Sequence, residues 1–278
     1  MGGPWTGSPE HKERLCRFFI ESHVMFSPAD LPWPDLDERS RQCLAALPIW
    51  EEAVRTEAQT ARTVIAMGRA ERDPLLREAI RLQGYEEARH AELLELMTRR
   101  YGITVPPYQV IEPPDPAWAF MRIGYGECFD SFFAFGLFAL ARDSGVFSPA
   151  LVGLFEPVMQ EEARHIIFHV NWVAYCQARL PYAARASYVF RRGMAIWLQL
   201  ASRVQTALRI GGGARARQDN FTMNAHAAFG PVSPRRFLET CLRENEKRLA
   251  PYDERLLRPV FVSRLARGML GRLPHRSR

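Results

Sequence analysis

One pentapeptide occurs twice in this 278-residue sequence, and it contains two of the side chains that most often bind metal ions. The sequence Glu-Glu-Ala-Arg-His stands at 86–90 and again at 161–165. On a helix, positions i and i+3 share one face, so Glu87 would lie beside His90 and Glu162 beside His165. A single Glu-x-x-His is common and also describes surface ion pairs. Two identical copies, 75 residues apart, favour a shared metal-binding role.

A carboxylate-bridged two-metal site in a helical protein needs one further carboxylate from each of two other helices. Glu127 is the candidate between the two copies, because it lies in an otherwise apolar and aromatic stretch at 124–129. The candidates before the first copy are Glu51, Glu52 and Glu57.

The spacing from the turns chooses among these candidates, because antiparallel neighbours place residues at one level when both are equally far from the turn. With a turn near residue 72, Glu57 and Glu87 are each 15 residues away from it. Glu52 is 20 residues away, so it would lie more than one helical turn from Glu87 along the bundle. With a second turn near residue 145, Glu127 is 18 residues away and Glu162 is 17. The predicted ligands are Glu57, Glu87, His90, Glu127, Glu162 and His165.

This set contains four carboxylates and two imidazoles, which formally balance two divalent cations. Oxygen and nitrogen ligands without a thiolate suit iron or manganese. Ordinary surface charges are the alternative interpretation. They would explain either pentapeptide alone, but not the repeat together with an acidic residue inside an aromatic helix.

The elements that must position these residues are helices, since helical periodicity dominates and no run alternates like a strand. Helices are expected at about 10–24, 38–70, 73–100, 116–143, 149–179, 181–210 and 234–249. Pro48 kinks or breaks the second of these, and Asp73-Pro74 begins the third as an N-cap followed by proline. A proline-rich crossover at 105–116 separates two helical hairpins, which is one of the connectivities of four-helix bundles.

The pattern Glu…Glu-x-x-His…Glu…Glu-x-x-His resembles the ferritin-like di-iron carboxylate superfamily over about residues 40–180. The resemblance implies a ferritin-like four-helix bundle with additional N- and C-terminal helices. It also implies two bound iron ions (Fe–Fe, or Mn–Fe) that react with dioxygen or peroxide. The expected organisation is an N-terminal helix and proline-rich lead-in at 1–37, a di-metal bundle with an added fifth helix at 38–210, and a short helix with an Arg-rich tail at 211–278.

The first Glu of each pentapeptide is a candidate for the surroundings of the metals. Metal-bound histidines usually donate their second ring N–H to a carboxylate. By resemblance, Glu86 and Glu161 would accept these hydrogen bonds across the bundle, and solvated side chains are the alternative. Arg89 and Arg164 either neutralise the carboxylates or face solvent.

Two more residues lie one helical turn beyond a predicted ligand. Asp130 follows Glu127 and is expected to be buried and paired, with a ligand histidine as one candidate partner. His169 follows His165 and is either a seventh ligand or a core histidine. The arylamine N-oxygenase branch of the superfamily has an additional histidine ligand, but Val158 occupies the corresponding position in this sequence.

The resemblance implies a non-haem di-iron oxygenase or oxidase. Such an enzyme would use dioxygen to hydroxylate, N-oxygenate or desaturate a small organic substrate, with the six predicted ligands as its catalytic residues. The sequence has no flavin or nucleotide motif, so an external reductase or ferredoxin is the expected electron donor. A homodimer is left open.

Iron storage, ferroxidase activity and peroxide scavenging form the alternative functional class. The chain is about 100 residues longer than a minimal bundle, which favours an enzyme with its own substrate pocket. Rubrerythrin-type scavengers usually carry a module with two CxxC pairs, and this sequence has none.

The charge of +6 is a property of the C-terminal part, because residues 211–278 have a net charge of +8 and residues 1–210 a net charge of −2. The tail 258–278 has Phe261, Leu265 and Met269 at helical spacing among arginines. It could contact an acidic membrane, or RNA, since a tRNA hydroxylase exists in this superfamily. Packing on the bundle or disorder is the simpler expectation.

The remaining signals predict a cytoplasmic protein. Five scattered cysteines form no CxxC motif, which favours single thiols in a reducing compartment. No secretory signal is visible at the N-terminus. The most apolar run, 132–141, is about ten residues and too short to span a bilayer.

Overall fold

Helices are the regular structure of this protein throughout the part that the computed structural model describes. It describes residues 5–47, 49–211 and 233–273, without the side chains of 206–211. No β-strand occurs in these ranges. The predicted all-α class is therefore confirmed for the described chain.

The helices follow the predicted order closely. They are α1 (Pro9–Glu21), α2 (Glu38–Ala45), α3 (Trp50–Ala70), α4 (Pro74–Arg100), α5 (Pro116–Ser144), α6 (Pro149–Gly153), α7 (Glu156–Arg179), α8 (Tyr182–Gly211), α9 (Pro234–Leu249) and α10 (Val260–Leu270). Asp73 caps α4 by accepting hydrogen bonds from the backbone N–H groups of Leu75 and Leu76, and Pro74 follows at the start of the helix, as predicted. A single 3₁₀ turn, Pro28–Asp30, lies in the lead-in among the described residues.

Two predicted helices are each split in two. The expected helix at 38–70 is α2 and α3, so the sequence around Pro48 marks a break; Pro48 itself lies outside the described residues. The expected helix at 149–179 is α6 and α7, and the prediction of one continuous helix is wrong. Pro157, in the first turn of α7, has no N–H to bond the carbonyl of Gly153, so the helix restarts after Phe155.

Four helices surround the interior where the repeated pentapeptides lie. α3 runs along α4, α5 packs against α7, and further contacts join α3 to α5 and α4 to α7. α8 and α9 cover α5, and α1 lies against α4 and α7. The core between them is strongly aromatic and includes Phe120, Phe129, Phe132, Phe135 and Phe168.

α5 is long and apolar enough to cross a membrane, by length and composition alone. The run of ten apolar residues noted in the sequence is therefore shorter than the apolar part of α5. However, 72% of its most apolar window is buried inside the protein. This burial fits a core helix enclosed by its neighbours.

The five cysteines are free thiols, as predicted. Cys16, Cys128 and Cys241 are buried, Cys176 is partly buried and Cys43 is exposed. The fold is therefore stabilised by packing and polar contacts and not by a disulfide framework.

The start of the Arg-rich tail is a packed helix. α10 lies on α5 and α9, where the rings of Phe261 and Phe129 are 4.8 Å apart between centroids and Val262 is buried. Leu265 and Met269, which stand at helical spacing from Phe261, are 43% and 49% exposed, so only part of this helix packs on the bundle. Residues 274–278 lie outside the described chain.

The close approach of α5 and α9 depends on Gly136. A Cβ atom at this position would lie 2.3 Å from Sγ and 3.1 Å from Cα of Cys241. We expect Gly136→Ala to lower the free energy of unfolding by about 1–3 kcal/mol, because the helices must separate. Gly193→Ala is the control, since its Cβ would meet no atom within 4 Å and should be neutral or stabilising by up to about 1 kcal/mol. Equal effects in urea denaturation would contradict this account.

Candidate metal centre

The structure brings all six predicted ligand residues into one buried cluster. α3 supplies Glu57, α4 supplies Glu87 and His90, α5 supplies Glu127, and α7 supplies Glu162 and His165. Their ligand atoms form two groups, and within each group the atoms lie within 4.8 Å of one another. One group contains Glu57, Glu87, His90 and Glu162; the other contains Glu87, Glu127 and His165. Both groups could hold a metal ion, and Glu87 belongs to both.

The two imidazole rings are oriented by hydrogen bonds between facing helices. Nε2 of His90 lies 2.8 Å from Oε2 of Glu161, and Nε2 of His165 lies 2.8 Å from Oε2 of Glu86. An ionised carboxylate only accepts hydrogen bonds, so Nε2 donates in both pairs. Nδ1 is then the ring nitrogen available to a metal ion.

The free ring nitrogens fit a cation. Nδ1 of His90 and Nδ1 of His165 are both buried, and neither atom accepts or donates a hydrogen bond. Nδ1 of His165 lies 3.0 Å from Oε1 of Glu87, and Nδ1 of His90 lies 3.4 Å from Oε1 of Glu162. Oε1 of Glu127 is also buried without a hydrogen bond. Buried polar atoms are normally paired, so three unpaired ones within one acidic cluster suit metal coordination.

Two polar side chains hold the carboxylates in place. Oγ of Ser131 donates to Oε2 of Glu162 at 2.8 Å. Nε2 of Gln83 donates to Oε1 of Glu87 at 3.2 Å and to Oε2 of Glu127 at 3.4 Å. These contacts join α4 to α5 and α5 to α7 at the level of the cluster.

The carboxylates disfavour one another's negative charge. Burial raises the pKa of Glu57 to about 7, although His90 opposes the shift. Burial also raises the pKa of Glu127 well above its usual range, and the carboxylates of Glu87 and Glu162 raise it further. Without metal, part of the cluster is therefore neutralised by protons.

The two imidazoles are instead stabilised in their charged form. Burial disfavours a charged ring, but the surrounding carboxylates outweigh this effect and raise the pKa values of His90 and His165 well above the usual range. The cluster thus attracts positive charge to its centre. A metal cation would supply that charge and displace the protons.

The arginine of each pentapeptide is buried and neutralises the first Glu of the other copy. Arg89 pairs with Glu161, and Nη1 of Arg164 lies 2.7 Å from Oε1 of Glu86. Burial disfavours the Glu86 carboxylate, yet hydrogen bonds from His165 and Arg164 lower its pKa to about 2. Each of these glutamates therefore receives a histidine and an arginine from the facing helix.

The N-terminal segment 19–26 also belongs to this network, and the sequence did not single it out. Nδ1 of His23 lies 2.5 Å from Oε1 of Glu86. Arg164 donates to Oγ of Ser22 at 2.8 Å, and Arg89 donates to the carbonyl of Phe26 at 3.1 Å. No spacing in the sequence links this segment to the pentapeptides. The arginine in each pentapeptide was the only sequence signal for such a segment. A buried arginine needs hydrogen-bond acceptors, and the pentapeptides alone do not supply enough of them.

His23 forms a further group with Glu86 and Glu161 that could hold a metal ion by distance alone. The oxygens of both glutamates already accept hydrogen bonds from the histidines and arginines of the facing helices. We therefore assign Glu86 and Glu161 the role of orienting the ligand histidines.

The structure does not bring His169 to the cluster. Its ring lies among Phe120, Tyr125 and Trp172, with centroids 5.8, 4.9 and 6.2 Å away. Burial lowers the pKa of His169 to about 3, so the ring is neutral. A Cβ atom on Gly124 would lie 2.0 Å from its Nδ1, which explains the glycine. Of the two alternatives, His169 is a core histidine in this structure and not a seventh ligand.

Asp130 and Glu52 have other partners. Asp130 is paired, as expected, since its Oδ2 lies 2.5 Å from Nη2 of Arg203 on α8, but 27% of its side chain is exposed, so it is only partly buried. The ligand histidines bond Glu86 and Glu161 instead. Glu52 lies outside the cluster and accepts a hydrogen bond from Arg55 at 2.5 Å.

A cavity of about 220 Å³ opens beside the cluster. Five of the clustered residues line it, namely Glu57, Glu87, His90, Glu127 and Glu162. Most of the opposite wall is apolar and includes Ile49, Trp50, Leu93, Phe155 and Met159. A small molecule in this cavity would lie between an apolar surface and the candidate metal ligands.

The comparisons with known proteins give no independent assignment: no family model, no characterised protein and no solved structure matches this chain.

The assignment of Glu57 as a ligand predicts a difference from Glu52, a matched control on the same helix. We expect Glu57→Ala to lower metal affinity at least tenfold, because one carboxylate of a shared group is lost. Glu52→Ala should leave affinity unchanged, since its carboxylate bonds only neighbours on α3 in the described contacts. Titration with Mn²⁺ against a competing chelator measures both. Similar losses in the two variants would contradict the assignment.

The orienting role of Glu161 predicts a smaller effect. Glu161→Gln keeps the shape and an acceptor oxygen but removes the charge that faces His90 and Arg89. We expect about a tenfold loss of metal affinity with the fold intact. Glu95→Gln on α4 is the control, because Glu95 accepts a hydrogen bond from Tyr108 away from the cluster. Unchanged affinity in Glu161→Gln would show that this carboxylate does not orient the ligand.

Proposed function

We propose that this chain is a ferritin-like four-helix bundle, formed by α3, α4, α5 and α7, that holds two iron ions and activates dioxygen to oxidise a small organic substrate. The observation that supports it best is the presence of Glu87 in both ligand groups. A carboxylate shared between two positions is what bridged metal pairs require, and it is not needed for one isolated ion.

The ligand set supports the metal assignment. Four carboxylates and two imidazoles balance two divalent cations, and they contain no thiolate that would favour zinc or copper. Iron in both positions is the proposal, with manganese in one of them as the variant. Glu57, His90 and Glu162 would hold one ion, Glu127 and His165 the other, and Glu87 would serve both.

When bound, two irons supply the one-electron steps that dioxygen chemistry needs. In a monooxygenation, one oxygen atom enters the substrate and the other becomes water, which consumes two electrons and two protons. The electrons would come from an external reductase or ferredoxin, because no flavin or nucleotide motif is visible in the sequence.

Residues of the chain would orient the metal ligands and bind the substrate. Glu86 and Glu161 keep the imidazoles oriented by accepting hydrogen bonds from their Nε2–H groups. Ser131 and Gln83 fix the carboxylates by donating to them. The apolar wall around Trp50 and Phe155 would bind the substrate and limit the access of water to the reacting atoms.

Metal content and oxygen consumption test this proposal. After anaerobic reconstitution we expect two irons per chain, a raised melting temperature through preferential binding to the folded state, and dioxygen consumption when a reductant is added. Protein loaded with Zn²⁺ is the control, and it should be stabilised without consuming dioxygen.

Two results would overturn the proposal. Fewer than one metal per chain with iron in excess would remove the metal centre. Many irons per chain in a mineral core would instead indicate the storage class.

A further inference from the structure

A second cavity, of about 170 Å³, lies beyond the one at the metal centre. α2, α5 and α6 and the segments next to them form its walls. We call it the outer chamber; side chains found only in its wall include Leu44, Leu47, Leu137, Phe138, Phe147 and Leu151. No charged residue lines it among the residues that the structure describes.

The two cavities adjoin each other. Five residues line both of them, which are Ile49, Trp50, Ala134, Phe155 and Met159. The outer chamber and the cavity at the metal centre are therefore next to each other, with these shared residues at their boundary.

The outer chamber offers no obvious partner to a polar group. Its one potential side-chain donor, Nε1 of Trp50, already donates to the carbonyl of Leu44 at 2.7 Å. Burying a charge or an unpaired hydroxyl against such a wall is unfavourable. The wall thus selects for apolar groups.

The size of the chamber also limits its occupant. An apolar protein cavity of about 150 Å³ is known to remain dry and to hold benzene. A space of about 170 Å³ accordingly accommodates a ring of that size or a short alkyl segment. The cavity at the metal centre accommodates a second group of similar size.

We propose that the outer chamber binds the apolar end of an elongated substrate whose reacting end lies beside Glu57 and Glu127. This inference rests on the proposed function, since it names the substrate class for the same centre. It excludes molecules that are charged or polar at both ends.

Binding of unbranched 1-alkanols tests the chamber directly. Burial of each CH₂ group should tighten binding about fourfold, until both cavities are filled. We would titrate butanol to decanol into the Zn²⁺-loaded protein by calorimetry, so that binding is measured without turnover. A length dependence that stops at the shortest alcohols would overturn the proposal.

Diols of matched length test the preference for an apolar end. 1,8-Octanediol would bury its second hydroxyl in the outer chamber without a partner. We expect it to bind at least about tenfold more weakly than 1-octanol. Equal affinities would contradict an apolar chamber.

Two variants of α6 locate the effect. Val152 lines the outer chamber and is absent from the wall at the metal centre, so Val152→Trp should stop the gain in affinity at a shorter chain and leave butanol binding unchanged. Ala150→Trp, at an exposed position of the same helix, should behave as the wild type. If Val152→Trp does not fold, Ala141→Leu reduces the same chamber from α5. An unchanged length dependence in a folded chamber variant would overturn the proposal.

These results are separable from those for the proposed function. The expected alkanol series together with no dioxygen consumption by the iron-loaded protein would support the chamber and overturn the oxidative function. Dioxygen consumption without any dependence on chain length would overturn the chamber alone.

Discussion

The arrangement of this protein depends on the need to compensate four carboxylates that meet in its interior. Like charges at such distances cannot all remain ionised in a buried environment, and burial raises the pKa of Glu57 and Glu127 accordingly. Positive charge must therefore enter the cluster, either as protons or as metal ions. The unpaired Nδ1 atoms of His90 and His165 and the unpaired Oε1 of Glu127 favour metal ions, because each presents a donor atom toward the same centre.

The repeated pentapeptide satisfies this requirement through reciprocal contacts between α4 and α7. Each copy sends its histidine and its arginine to the first Glu of the other copy. The same residues that orient the ligands thus join the two helices. Because Arg89 and Arg164 also donate to the backbone or side chains of residues 19–26, this N-terminal segment belongs to the same hydrogen-bond network.

The sequence predicted the helices, which follow from periodicity, and the ligands, which follow from their distance to the turns. Glu57 was selected over Glu52 by its distance from a turn, and the structure places Glu57 in the cluster and Glu52 outside it. Interactions that depend on tertiary packing were less accessible. The partner of Asp130 is on α8, a helix without a recognisable motif, and His169 occupies an aromatic pocket formed by α5 and α7. The break near Phe155 was visible only as Pro157, which also suits the first turn of a helix.

The two sides of each imidazole ring have different surroundings, and this asymmetry decides on which side a small molecule could come close to the cluster. On the Nε2 side, Glu86 and Glu161 are enclosed by arginines and by the segment after α1, all of which are engaged in hydrogen bonds. On the Nδ1 side, the carboxylates border a cavity with a largely apolar wall. Opening the first side would leave buried ionised groups without partners, which is costly, whereas the second side can exchange one apolar occupant for another. Under the proposed function, a substrate would therefore reach the cluster from the cavity, and the polar network behind the histidines would remain closed.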